Sequence, residues 1–135
     1  MREDIVRIDG YGWDARYITD FTCDGLRYAV KALESIGCEG EAMDRALSNM
    51  RMCLFNTGLT YSNKKTKKSV VIVYRTVTTD QFINSLSHET HHLCTHISEE
   101  YGIDPYSEEM STLFGDTMQK LTNIIYARKK RKWQR

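Results

Sequence analysis

Residues 88 to 92 read His-Glu-Thr-His-His, and with His96 they place all four histidines of this 135-residue chain within nine positions. The run fits H-E-x-x-H, a pattern suited to metal-assisted hydrolysis. Residues four apart stand one above the other on a helix. His88 and His92 can therefore reach one ion, with each nitrogen about 2.0–2.1 Å from it. Glu89 lies beside such an ion without ligating it and can take a proton from the attacking water, whose pKa bound zinc lowers toward ~7. The spacing predicts Zn2+ as cofactor, His88 and His92 as ligands, and Glu89 as general base.

Helical projection tests the pattern independently. With His88 at zero and about 100° per residue, Phe82, Leu86, Leu93 and Ile97 fall between about 120° and 180°, and Ile83 and Tyr101 near about 220°. His88, His92, His96 and Glu89 fall at about 0°, 40°, 80° and 100°. The four share one face, turned largely away from the apolar stripe. His91 projects outside that group and is expected in solvent or supporting the site. His96 is expected to line the cleft or to steady a ligand, with a role as third ligand the alternative. The competing reading is a surface helix with histidines on its solvent face.

A catalytic zinc usually takes three protein ligands plus water. The longer pattern H-E-x-x-H-x-x-G-x-x-H would need Gly at 95 and His at 98, where this chain has Thr95 and Ser98. The third donor is therefore expected from Ser107-Glu108-Glu109, which a short Gly-Ile-Asp-Pro connection folds back toward the histidines. The next helix shows an apolar stripe of Tyr106, Met110, Leu113, Phe114, Leu121, Ile124 and Ile125. Glu109 projects about 105° from its centre and Glu108 about 155°, which favours Glu109 as ligand and leaves Glu108 as the alternative. Both glutamates also suit a helix N-terminus through its dipole.

The elements that must position these groups are legible along the chain. Residues 3 to 19 alternate apolar and polar around a Gly-x-Gly break, predicting two short strands. A helix follows from Thr22 or Asp24 to about Ile36, stopped by Gly37, and a second from about Glu39 to Leu54. Leu59-Thr60-Tyr61 and a β-branched run over 69–77 read as a hairpin with a KKTKK tip. Thr78 or Thr79 caps the motif helix, about 80–101, which ends at Gly102. Asp104 as N-cap and Pro105, the only proline, open a last helix over about 105–127. The fold class expected is α+β, with one domain over 1–127 and a basic, disordered tail over 128–135.

The totals agree. Hydrophobic residues are 41% and charged residues 27%, with formal net charge +1, which fits a folded, soluble domain of modest core. No run is long and apolar enough for a membrane span, and no secretory signal is visible. A cytoplasmic location is therefore expected, with Cys23, Cys38, Cys53 and Cys94 as reduced, buried or half-buried thiols.

The chain resembles the gluzincin-type metallopeptidases of minimal size found in phages and bacterial mobile elements, and more loosely the ImmA/IrrE group. His88-Glu89-x-x-His92 and Ser107-Glu108-Glu109-Met110-Ser111-Thr112-Leu113 carry the resemblance, which covers about residues 57 to 127. It implies a zincin-like fold, peptide-bond hydrolysis and a peptide or protein substrate. It also implies an edge strand above the motif helix that receives substrate by strand addition. The run 69–77, with Val71, Val73 and Arg75, is the candidate. Met110-Ser111-Thr112 replaces the small alanines usual in such proteins. A group stabilising the oxyanion is also implied, with His96, Tyr101, Tyr106 and Tyr61 as candidates.

The tail from Arg128 holds six positive charges in eight residues. With Lys64, Lys65, Lys67 and Lys68 it could contact nucleic acid through phosphates, although a solvated terminus explains it as well. The alternative function is thus a catalytically inactive zincin-fold protein of a mobile element, regulatory or nucleic-acid-associated.

Overall fold

The computed structural model describes residues 1–52 and 57–133, with side chains left aside at 126 and from 128 onward. Strands β1 (Arg2–Ile8) and β2 (Trp13–Phe21) form the first hairpin. After a 3-10 turn come helices α1 (Leu26–Ser35) and α2 (Gly40–Arg51). Strands β3 (Gly58–Asn63) and β4 (Lys68–Tyr74) form the second hairpin, followed by α3 (Thr79–Tyr101) and α4 (Glu108–Trp133). The strands make one mixed sheet in the order β1-β2-β4-β3, with β2 parallel to β4 and the other neighbours antiparallel. The α+β expectation holds at this level.

Alternation along β4 explains why helices cover both faces. Val71 and Val73 pack with Leu86, Leu93, Ile97, Leu113 and Leu121 of α3 and α4. Val70, Ile72 and Tyr74 pack with Ala29, Leu33, Ala46 and Met50 of α1 and α2. A strand buried on both sides reads as a continuous apolar run, and that is what Val70 to Tyr74 shows.

This placement corrects the substrate strand. The run 69–77 was expected at an edge, but β4 lies between β2 and β3, so both sides of its backbone are occupied. Val71 and Val73 are fully buried. Arg75 lies beyond the strand, and its guanidinium donates to both carboxylate oxygens of Asp20 at 2.8 and 3.1 Å. The edges are β1 and β3.

Helix boundaries follow their caps. Thr78 and Gln81 form a reciprocal capping box at the start of α3, and Gly102 ends it in the left-handed conformation, as the Thr and Gly signals predict. The start of α4 differs from expectation. Asp104 accepts from the Tyr106 amide in a turn, and Ser107 caps the helix, its hydroxyl accepting from Met110 N. Tyr106 therefore lies outside the helix and is 96% exposed rather than part of its buried stripe. At the other end α4 continues to Trp133, through most of the segment expected to be disordered. The expected end of α2 at Leu54 falls outside the described residues.

Cys23 is disulfide-bonded, which corrects the expectation of four reduced thiols. Cys38 and Cys94 are free and buried, and Cys53 lies outside the described residues. Among the described residues no helix is long and apolar enough to cross a membrane.

Candidate functional site

Helix α3 lies across one face of the sheet and buries Ser85, Leu86, Glu89, Thr90, Leu93, Cys94, Ile97 and Ser98. That arc is centred where the projection put it, but it is wide enough to take in Glu89. Only 3% of Glu89 is exposed. Thr57 Oγ1 donates to one carboxylate oxygen at 2.6 Å, and Thr60 Oγ1 to the other at 2.9 Å. A buried carboxylate without such donors would cost several kcal/mol, roughly, so these hydroxyls make its position tenable. Gly58 permits the close approach: its φ is +155°, and a Cβ there would meet Ile72 O at 1.9 Å and Glu89 Cγ at 3.1 Å.

His88 and His92 remain on the solvent side of this carboxylate, both exposed. Their Nε2 atoms are 3.2 Å apart, and His88 Nε2 is 3.9 Å from Glu89 Oε2. The 3.2 Å separation is hydrogen-bond distance between the two rings. It is also close to the roughly 3.3 Å between two nitrogens bound to one tetrahedral zinc at ordinary bond lengths.

Glu109 does not join them. It accepts from the Tyr11 hydroxyl at 3.0 Å, Tyr11 packs edge-on against Tyr101, and Tyr101 hydrogen-bonds the Tyr11 carbonyl. Tyr101 is the last residue of α3, nine residues past His92. Helix α4 docks on α3 through Phe114 against His91 and Thr117 against Cys94. Glu108 is exposed in the first turn of α4. Among the described residues no three His, Cys, Asp or Glu side chains form a group that could hold a metal.

The oxyanion candidates separate in the same way. Tyr101 is engaged at the far end, Tyr106 stands in solvent, and the Tyr61 hydroxyl reaches Gly37 O at 3.5 Å. His96 alone faces the second hairpin, where its Nδ1 is 2.7 Å from Ser62 Oγ. Burial holds its pKa below the usual histidine range. His96 also lines a cleft of about 420 Å³ between α2, β3 and α3, together with Asn49, Thr60, Ser62 and Glu99.

The cleft runs along an open strand edge. The Tyr74 amide donates to Thr57 O, which makes 57 and 74 a hydrogen-bonded pair. Counting by two through the register, residues 59, 61 and 63 face β4 and the main-chain groups of Gly58, Thr60 and Ser62 face away from it. Among the described residues no strand pairs with that side of β3.

Thr57, Thr60, Ser62, Ser69 and Trp13 were not singled out from the sequence. Thr60 and Ser62 did leave a signal, because Leu-Thr-Tyr-Ser alternates and puts both hydroxyls on one face. Trp13 and Ser69 left none, since their contacts span 56 residues. Comparison with family models, with curated proteins and with solved structures finds no match for this chain.

Proposed function

We propose that this chain is a zinc-dependent hydrolase of zincin-like architecture acting on an extended peptide laid along the open edge of β3. The observation that carries the reading is the His88–His92 pair, spaced for one ion, with a buried carboxylate 3.9 Å away. His88 and His92 would hold the ion, which when bound supplies Lewis acidity at the scissile carbonyl. Glu89, fixed by Thr57 and Thr60, would take the proton of the attacking water and return it to the leaving amine. The edge groups of Gly58, Thr60 and Ser62 would bind substrate main chain.

The fit is incomplete at one point. His88 and His92 would supply two ligands, and Glu109 could serve as third only by leaving the Tyr11 hydroxyl. Elemental analysis of untagged protein after zinc reconstitution tests the reading. About one zinc per chain, lost in His88→Ala and in His92→Ala, is expected, and less than about 0.2 per chain in the parent protein would overturn it. Glu109→Gln decides the third position: a fall in zinc affinity of roughly tenfold or more makes it a ligand, and unchanged affinity removes it.

A second reading has its own support. Glu89 is fully engaged by two hydroxyls and pins α3 to β3, which is what a structural carboxylate in an inactive, regulatory relative would do. The basic run on α4 would then serve phosphate contacts, and binding to duplex DNA that weakens steeply with salt would favour it.

A further inference from the structure

Four side chains form a hydrogen-bonded line from the core to the cleft. Trp13 Nε1 donates to Ser69 Oγ at 2.8 Å, Ser69 Oγ is 2.6 Å from Ser62 Oγ, and Ser62 Oγ is 2.7 Å from His96 Nδ1. We propose that this line fixes His96 as the neutral imidazole protonated on Nε2, and that this N–H is a built-in donor for a carbonyl oxygen of a peptide lying along β3.

Proton counting gives the direction. An indole N–H only donates, so Ser69 must accept from Trp13. Ser69 is 1% exposed, and Ser62 is the one remaining partner for its proton among the described residues. Ser62 in turn accepts from Ser69 and has one proton to give, with His96 Nδ1 as its acceptor. A neutral imidazole that accepts at one nitrogen carries its hydrogen on the other. The reverse direction would leave the buried Ser69 proton without an acceptor, at a cost comparable to an unmade hydrogen bond. Burial, which lowers the His96 pKa, keeps the ring neutral near pH 7.

The geometry then assigns the ligand class. The nitrogen opposite Ser62 is left for the cleft, on the strand whose outward main-chain groups are those of Gly58, Thr60 and Ser62. A donor fixed beside such an edge suits the carbonyl of an added strand. This part rests on the substrate reading above, while the tautomer does not.

Long-range proton–nitrogen spectra of 15N-labelled, metal-free protein read the tautomer directly. The Nε2–H form is expected to exceed the Nδ1–H form by about tenfold, the worth of one hydrogen bond. Ser69→Ala should erase most of that preference, and Ser69→Thr should restore it. A dominant Nδ1–H form in the parent protein, or a preference untouched in Ser69→Ala, would overturn the relay. Titration with acetyl-tetraalanine amide tests the donor in the same sample. The amides of Gly58, Thr60 and Ser62 should shift together with the His96 Nε2 proton. Strand shifts without the His96 proton would overturn the donor role, and no shift up to the peptide's solubility limit would overturn the ligand class. Because no metal is present, neither result depends on whether zinc binds.

Discussion

The two flanks of α3 are built from opposite materials. Toward α4 the helix presents Leu93, Cys94 and Ile97 to Met110, Leu113 and Leu121, an apolar seam in which burial pushes the Cys94 thiol up to about 12. Toward β3 it presents Glu89 and His96 to Thr57, Thr60 and Ser62, each polar group matched by a hydroxyl. Packing alone would favour the first kind of seam, because a matched polar contact adds only about 0.5–1.5 kcal/mol net and costs much more when half broken. On the β3 flank the contact instead depends on keeping each polar group matched.

Three substitutions and one pH series test that contrast. Glu89→Gln should reduce peptide hydrolysis by about 10²–10⁴-fold while zinc content stays constant, and steady-state rates on zinc-loaded protein would read it. Undiminished rates would return the β3 flank to a structural role. On the α4 flank, Leu93→Ala should cost about 2–5 kcal/mol in urea unfolding through the cavity it leaves, with the tautomer of His96 unchanged. A loss below that range would mean that the apolar seam is not what anchors the helix. Thr60→Val keeps the shape and removes one donor to buried Glu89, so about 1–3 kcal/mol is expected; a neutral result would show the carboxylate satisfied by Thr57 and water alone.

The smallest effect is that of pH. The folded-state pKa of His96 is lowered, so between that value and the unfolded value the unfolded chain binds more protons. Stability contributed by the neutral ring is therefore full above about 6.5 and declines as pH falls below it. The decline stops once pH passes the lowered folded-state pKa. His96→Gln should lack that step in a pH series of unfolding midpoints, and an identical profile would deny the burial that sets the line from Trp13.

Much of this arrangement was legible in the residues. Thr78 and Gly102 bounded the motif helix because caps act locally, and the projection centred its buried face correctly. Glu89 was misjudged because its angle, about 100° from His88, is a boundary position, and the partners that bury it lie 29 and 32 residues away. The nomination of Glu109 failed to bring it to the histidines for a similar reason. Angular position on α4 was read from the pattern, whereas the partner that holds Glu109, the Tyr11 hydroxyl, lies 98 residues away in sequence. The role of β4 was inverted because a fully apolar strand signals burial on both faces, and such burial belongs to the middle of a sheet.

An open strand edge is also a surface on which a second copy of the same strand can pair. The lysines of the β3–β4 turn all stand at one end of β3. Parallel pairing of two such edges would bring the two clusters together and be opposed by like charge, whereas antiparallel pairing would send them to opposite ends. Repulsion at the tip therefore guards against only one of the two ways in which the strand can self-associate.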